Sequence, residues 1–242
     1  MVHNNSLSVN LKVLLMDTDF YALMAINGYL AYDRRTRVTA KVESPDKMWD
    51  YLRHTRQAEL PDVVVLDTAH IDTAAVLTDT IQQLRQRIPR VRVICIAQAA
   101  RPELIEAAAA AQASGYLLKQ EVRLQIAGAI VYALTHDFVI TEGVGKASSH
   151  LFNTRIFHAS LLPEKRDYSE LTDRIREAIE LCVIEGMPAH LGADEMGISL
   201  HTIRGYIKEG YRILESYDET EYPNDMTPQE RAFMRYTALA DE

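Results

Sequence analysis

The sequence contains little cysteine and no long apolar run, and both absences exclude classes of protein. Only two cysteines, Cys95 and Cys182, occur in 242 residues. They lie far apart, each within an apolar stretch, which is typical of small buried side chains in a reduced protein rather than of a disulfide framework. No apolar run approaches the ~20 residues that a membrane-spanning helix needs. We therefore expect a cytoplasmic protein that does not enter the membrane.

Catalytic and metal-binding patterns are also absent. The sequence has no glycine-rich phosphate loop and no nucleophile–base pair, and its eight histidines and two cysteines never take the spacing of metal ligands. His70 is the one candidate general base, and a histidine in a surface loop is more often idle. The sequence thus predicts a protein that is not an enzyme and that has no dedicated metal site.

The acidic residues are concentrated in the second half of the chain. The formal net charge is -8. Residues 1–149 carry 16 basic and 16 acidic side chains, whereas residues 150–242 carry 10 and 18, so the second half holds the whole excess. This shift predicts two domains. It also argues against a general attraction of the whole surface to nucleic acid.

Short apolar runs alternate with helical patterns in the first half. The run MVHNNSLSVN (1–10) is polar and is expected to be a disordered leader. Strands are predicted at 11–16, 37–42, 62–66, 91–96 and 115–118, with apolar residues three or four apart between them. Five strands alternating with helices predict right-handed βαβ units and a parallel sheet that is covered on both faces.

Acidic and basic side chains lie at the ends of three of the predicted strands, and an alanine lies at the end of a fourth. Asp17 and Asp19 follow the first strand, Asp67 ends the third, Ala97 ends the fourth and Lys119 follows the fifth. Sites in open α/β sheets form outside the carboxyl ends of the strands. We therefore expect the acids and the lysine to form an acidic pocket at one rim.

The motifs LLMDTD, VVVLD and GYLLK, in this order, resemble the receiver domain of two-component response regulators. The run AGAIVYALTHDFVITEGV (127–144) resembles the last helix and exit strand of the LuxR-type subfamily. The resemblance implies a flavodoxin-like, doubly wound, five-stranded parallel sheet over residues 11–144. It also implies that Asp67 occupies the phosphoacceptor position and that Lys119 neutralises the phosphoryl oxygens.

Two positions depart from the receiver pattern. The family has two adjacent acids after the first strand, but here Asp17 is followed by Thr18, and a hydroxyl is a poor ligand for Mg²⁺. Asp19 either reaches inward or caps the first helix. The family's hydroxyl at the end of the fourth strand is replaced by Ala97, although its aromatic partner, Tyr116, is retained.

These departures predict an atypical receiver that ordinary aspartyl phosphorylation does not switch. Three alternatives stay open for the rim: a structural pair of Asp67 with Lys119, a site for another ligand, and a protein that acts constitutively as a dimer. Asp17 and Asp67 are the candidate ligands for magnesium, but Thr18 replaces the family's direct ligand, so no cofactor is expected.

The second half predicts a helical domain over residues 169–242 after a linker at 145–168. The pattern LTDRIREAIELCVIEG (171–186) has one apolar face and stops at a glycine. A short segment then turns through Gly197, and Ser199 caps the helix LHTIRGYIKEGYRIL (200–214). A last helix is predicted to begin at Thr227 and Pro228.

The stretch MGISLHTIRGYIKEGYRIL resembles the LuxR-type helix-turn-helix. Carried over by position, the resemblance places Arg204, Gly205 and Lys208 where the family contacts bases, and Thr202 and Tyr206 where it contacts phosphates. A basic stripe on a helix is otherwise simply a solvated face. Residues 200–214 hold three cations and one acid, so the acidic excess of the second half lies elsewhere.

The sequence therefore predicts a cytoplasmic transcription regulator that binds double-stranded DNA. A homodimer is expected, because helix-turn-helix regulators contact paired half-sites. A sensor kinase or a small ligand is a possible further partner. The alternatives are a module that binds or sequesters another protein through a degenerate helix-turn-helix, and an ordinary phosphorylation-dependent response regulator.

Overall fold

A computed structural model describes residues 10–217, 220 and 222–240. The predicted leader lies outside these residues except for Asn10. The chain forms two compact units that divide between Pro163 and Glu164. No helix in the described part of the chain combines the length and apolarity needed to cross a bilayer.

The first unit is a parallel α/β sheet, as predicted, but it has seven strands instead of five. The strands are β1 (Leu11–Met16), β2 (Thr36–Val42), β3 (Val63–Asp67), β4 (Arg92–Ala97), β5 (Gly115–Leu118), β6 (Val139–Ile140) and β7 (Ser160–Leu161). Their order in the sheet is β2-β1-β3-β4-β5-β6-β7, and every pair is parallel. The first five strands lie where the sequence places them, within one residue at each end.

The two additional strands explain the difference from the predicted number. Each is two residues long, so neither shows a side-chain periodicity. Main-chain pairing forms them, since the amide of Val139 donates to Ser114 at 3.0 Å and the amide of Ser160 donates to Phe138 at 2.9 Å. β6 falls in the stretch that resembles a receiver's exit strand.

Helices cover both faces of the sheet. Those of the first unit are α1 (Phe20–Tyr32), α2 (Pro45–His54), α3 (Ala74–Arg87), α4 (Pro102–Ala110), α5 (Lys119–Val122), α6 (Ile126–Tyr132), α7 (Glu142–Ser148) and α8 (Thr154–Phe157). Alternate residues of β1 and β3 face opposite ways, because strand side chains alternate with period two. Leu14 and Val64 pack with α2, α3 and α4, whereas Val13 and Val65 pack with α1 and α6.

The helical segment after β5 is interrupted, and one predicted boundary is corrected. The chain forms α5 and α6 with a break between them, where Arg123 takes a φ of 42°. The segment 145–168, predicted to be a linker, belongs largely to the first unit. Ser148 and Ile156 are buried there, and Arg155 donates hydrogen bonds to the carbonyls of Ala109 and Ala113 at 2.8 and 3.0 Å.

The second unit is entirely helical apart from one isolated bridge among its described residues. Its helices are α9 (Asp173–Ile179), which continues as a π-helical turn over Glu180–Ile184, α10 (Ala189–Met196), α11 (Leu200–Ser216) and α12 (Pro228–Tyr236). The predicted caps are present, since Ser199 accepts from the amide of Thr202, and Thr227 forms a reciprocal capping box with Glu230.

Candidate functional site

The carboxyl ends of β1, β3 and β5 bring two carboxylates and one ammonium into direct contact. Lys119 Nζ lies 2.7 Å from Asp17 Oδ2 and 2.8 Å from Asp67 Oδ1. The side chain of Asp67 is fully buried, and those of Asp17 and Lys119 are 2% and 12% exposed. The sequence predicted that these three residues meet. The structure adds that one lysine bridges both acids.

The second oxygen of Asp67 is also surrounded. The backbone amide of Ala69 donates to Asp67 Oδ2 at 3.1 Å, and the hydroxyl of Thr18 lies 3.5 Å away. His70 Nδ1 lies 3.8 Å from the same oxygen, too far for a hydrogen bond but close enough for electrostatic attraction when the ring is charged. Neither oxygen of Asp67 is therefore left free.

Burial and charge shift the pKa values of this cluster in different directions. Burial raises the pKa of Asp17, and its bonds to Lys119 and to the amide of Asp19 do not compensate. Burial acts on Asp67 in the same way, but the contacts with His70 and Lys119 outweigh it and lower the pKa of that carboxyl. Burial would lower the pKa of Lys119, yet its two carboxylate partners raise it overall. Lys119 thus keeps its charge in the folded state.

The magnesium ion that the receiver resemblance implies does not fit this set of donors. Both carboxylates are bonded to an ammonium, and the position of the family's second acid offers the hydroxyl of Thr18. Asp19 does not supply the missing acid. It is exposed and caps α1, accepting hydrogen bonds from the amides of Tyr21 and Ala22. No group of three His, Cys, Asp or Glu side chains suited to a metal occurs in the described ranges.

A hydroxyl missing at one strand end is supplied by the neighbouring strand. Ala97 ends β4 and is buried, and its methyl side chain offers no hydrogen-bonding group. Thr68, the residue after Asp67, instead places its hydroxyl 3.2 Å from the hydroxyl of Tyr116 and 3.3 Å from the carbonyl of Ile96. Tyr116 is fully buried, which raises its pKa to about 12.

Sequence analysis missed the role of Thr68. The signal that could have revealed it is the strand register, because Asp67 pairs with Ile96 and the next residue must pass the end of β4. It also missed Arg101, which fixes the loop TAHID (68–72) by donating to the carbonyls of Ile71 at 2.7 Å and of Asp72 at 3.0 Å.

The second candidate site is the outer face of α11. Helix α10 ends at Gly197 in the left-handed conformation, with φ of 65° and ψ of 36°, and α11 begins three residues later. Ile203 is fully buried against Ala193 and Met196 of α10. This packing fixes which side of α11 faces outward.

The residues predicted to contact DNA differ in their exposure and in whether they already have a hydrogen-bond partner. Arg204, Gly205 and Lys208 are exposed. The hydroxyl of Thr202 lies 2.7 Å from that of Ser199, within the cap of α11.

Tyr206 and Arg212, on the same helix, are already engaged. Tyr206 is partly buried against the core of the second unit. Arg212 binds both carboxylate oxygens of Glu209, at 2.6 and 3.0 Å, so it already has an acidic partner on the same helix.

Comparison with known proteins identifies similar structures but no family. No protein-family model matches the sequence, and no curated protein matches it. A structure of the response regulator RcsB from Salmonella typhimurium has a TM-score of 0.49 and 16% identity over 96% of this chain and 95% of that one. The isolated REC domain of RcsB from Salmonella enterica serovar Typhimurium has a TM-score of 0.48 and 17% identity, covering 57% of this chain and 98% of that chain.

The two-component response regulator RcsB in complex with DNA has a TM-score of 0.49 and 16% identity, covering 94% of this chain and 97% of that one. At these identities and TM-scores the likeness carries no argument about function. The functional conclusion therefore depends on the residues themselves.

Proposed function

We propose that this protein is a transcription regulator that binds double-stranded DNA through α11, and that ordinary aspartyl phosphorylation does not switch its receiver-like unit. The observation that carries the proposal is a pair of free cations on the exposed face of a helix-turn-helix. Arg204 and Lys208 lie one helical turn apart, and neither has an ion-pair or hydrogen-bond partner in the described part of the chain. Duplex DNA offers the phosphates and base edges that such side chains bind.

The acidity of the second half does not oppose this docking face. Glu209 is the one acid between residues 200 and 214, and its charge is taken up by Arg212. The face therefore presents Arg204 and Lys208 with no uncompensated carboxylate on the same helix segment. What decides association is the local field rather than the formal charge of the whole domain.

The geometry of the rim supports the second part of the proposal. Phosphoryl transfer to Asp67 needs an available carboxylate oxygen and a cation to neutralise the incoming group. Lys119 and the amide of Ala69 already bind the two oxygens of Asp67. Any phosphoryl group would also find no hydroxyl at Ala97, while Tyr116 is already bonded to Thr68.

Further partners follow from this assignment. We infer that the protein acts as a homodimer, because paired half-sites are contacted by paired helices. The input is then a sensor protein or a small ligand rather than a phosphoryl group. We assign the chain no catalytic residue. His70 Nδ1 lies 3.8 Å from Asp67 Oδ2, and Asp67 itself is the ion-pair partner of Lys119.

One observation favours a second candidate, a module that binds another protein. Helix α1 carries no charged residue and exposes several large apolar side chains: Phe20, Tyr21, Met24 and Tyr32. Tyr21 is 83% exposed. Uncharged, exposed aromatic surface is typical of protein interfaces. DNA binding separates the two candidates, because the second does not require it.

The first experiment is fluorescence anisotropy of the unphosphorylated protein on duplex DNA from upstream of its own gene, at two salt concentrations. We expect salt-sensitive binding. Arg204→Ala and Lys208→Ala should each weaken it and reduce its salt dependence, because each removes a positive charge from the face that contacts DNA. Arg174→Ala is the matched control, since Arg174 is exposed on α9 and paired with Glu177. No binding at low salt, or an equal loss in the control, would refute the DNA-binding assignment.

The phosphorylation part has its own test. The titration is repeated with Mg²⁺ and a small phosphodonor, using the wild type and Asp67→Asn. We expect both proteins to change affinity by less than about twofold, a free-energy change well under 1 kcal/mol. An increase of tenfold or more that Asp67→Asn abolishes would show instead an ordinary phosphorylation-dependent regulator.

A further inference from the structure

The glycines of the second unit include two that the packing requires. A Cβ atom on Gly210 would lie 2.6 Å from the side chain of Ile179, and one on Gly192 would lie 2.9 Å from Ile203. Contacts this short force neighbouring atoms to move. Both residues are therefore glycine because helices approach closely there.

Backbone conformation explains two more. Gly186 and Gly197 have φ values of 70° and 65°, which side chains other than glycine rarely adopt. Gly205 meets neither condition. It lies inside α11 with ordinary helical geometry and is exposed. Apart from its chain neighbours and the backbone of α11, no heavy atom of the described residues would lie within 4 Å of a Cβ atom placed there. An exposed glycine within a helix destabilises it relative to alanine. No packing contact among the described residues of the second unit requires a glycine at this position.

The position of Gly205 on the outer face of α11 indicates why a glycine is kept there despite its cost to helix stability. It follows Arg204 directly and precedes Lys208 by three residues, so it shares the exposed face with both free cations. A gap in the side-chain layer at this point lets another surface come close to the helix backbone. In the major groove, base edges lie deeper than phosphates, so a closer helix brings neighbouring side chains within reach of the bases.

We infer that Gly205 is a specificity-determining residue, kept without a side chain so that α11 can approach the major groove closely enough for Arg204 and Lys208 to contact base edges. The inference rests on the proposed DNA-binding function. The absence of a side chain at Gly205 accounts for sequence preference. Sequence-independent attraction to DNA comes from Arg204 and Lys208, and a change at Gly205 leaves both in place.

The test is Gly205→Ala in the full-length chain. Alanine should raise the thermal midpoint of the second unit by about 2–8 °C, because it fits the fold and favours the helix. On duplex DNA from upstream of the gene, we expect affinity to fall about tenfold or more. On a shuffled duplex of the same length, the change should be under about threefold. Specificity thus falls while stability rises.

Gly28→Ala provides the matched control. Gly28 also lies within a helix, α1, and a Cβ there would likewise have nothing within 4 Å. It should stabilise the first unit by a similar amount and leave DNA binding unchanged. If Gly205→Ala keeps the ratio of the two affinities within about twofold of the wild type, the inference is wrong even though the wild type binds DNA. If the wild type shows no preference between the duplexes, the inference is also wrong. If the wild type binds neither duplex, the proposed function itself fails.

Discussion

Removing the charge of Lys119 should destabilise the first unit severely, whereas removing that of Asp67 should not. Lys119 contacts two buried carboxylates, those of Asp17 and Asp67, at 2.7 and 2.8 Å. Lys119→Met therefore leaves two buried negative charges, those of Asp17 and Asp67, without a counter-ion. Breaking a buried ion pair from one side costs about 3–5 kcal/mol. For a domain of this size the loss corresponds to a fall in Tm of roughly 6–20 °C.

Asp67→Asn removes a negative charge from the cluster, whereas Lys119→Met removes the positive one. It leaves one carboxylate, Asp17, facing one ammonium, Lys119, so the buried cluster becomes neutral. The amide keeps the shape of the side chain and can still accept from Ala69. We expect a change of less than about 1 kcal/mol, because the remaining groups stay paired.

The assay is urea unfolding followed by the fluorescence of Trp49, the single tryptophan, which packs against the core of the first unit. Lys47→Met is the control. Lys47 is 62% exposed, and its ion pair with Glu43 lies on the surface, so little stability depends on it. If Lys119→Met unfolds within 1 kcal/mol of the wild type at pH 7, Lys119 does not act as the counter-ion of this cluster.

The pH dependence provides an independent check. The pKa of Asp17 is raised, so the folded state binds the proton of this carboxyl more tightly than the unfolded state does. Lowering the pH from the raised pKa to 3.8 therefore stabilises the folded state. The lowered pKa of Asp67 gives a stabilisation that is present above 3.8 and is lost as the pH falls through the lowered value. Without Lys119 both carboxyls should have raised pKa values. The stability that Lys119→Met loses relative to the wild type should therefore become smaller as the pH is lowered from 7 to 5. A loss of stability that does not change with pH would contradict this account.

Two further predictions concern the rim and the docking face. Thr68→Val should cost about 0.5–1.5 kcal/mol, because Tyr116 loses its hydroxyl partner. In the Thr68→Val variant, Tyr116→Phe should cause little further loss of stability. A double-mutant cycle followed by urea unfolding measures this coupling. Glu209→Ala should strengthen DNA binding several-fold in the anisotropy assay, because it frees Arg212. Equal affinities for Glu209→Ala and the wild type would mean that Arg212 lies outside the docking face.

The main strands could be predicted because burial leaves a pattern in the side chains. Apolar runs that end in Asp67 and Ala97 mark β3 and β4 to within a residue. The strands β6 and β7 could not be predicted in this way. Two residues show no period, and main-chain hydrogen bonds from Ser160 and Leu162 hold β7 in the sheet. The expected linker was wrong for a related reason, since polar residues such as Arg155 fold there by bonding to carbonyls.

The meeting of Asp17, Asp67 and Lys119 could be predicted from strand ends, but their bonding could not. Which oxygens a lysine binds depends on side-chain conformations that follow only from the folded rim. Thr68 was missed because its partner, Tyr116, is 48 residues away and is reached only through the strand register. Asp19 was left with two roles, and the structure shows it as the cap of α1.

These rim features are connected through Thr18, which stands where the receiver pattern has a second acid. With two acids before the acceptor, as the receiver pattern has, a single lysine cannot balance the buried charge, and a divalent cation is needed. With threonine at that position, the cluster holds two carboxylates, and Lys119 reaches both. The two carboxylates raise the pKa of Lys119, so the ammonium stays charged and remains in contact with Asp67 Oδ1. If Asp67 is not phosphorylated, as we propose, a hydroxyl at the end of β4 would have no phosphoryl group to contact, and Tyr116 pairs with the hydroxyl of Thr68 instead.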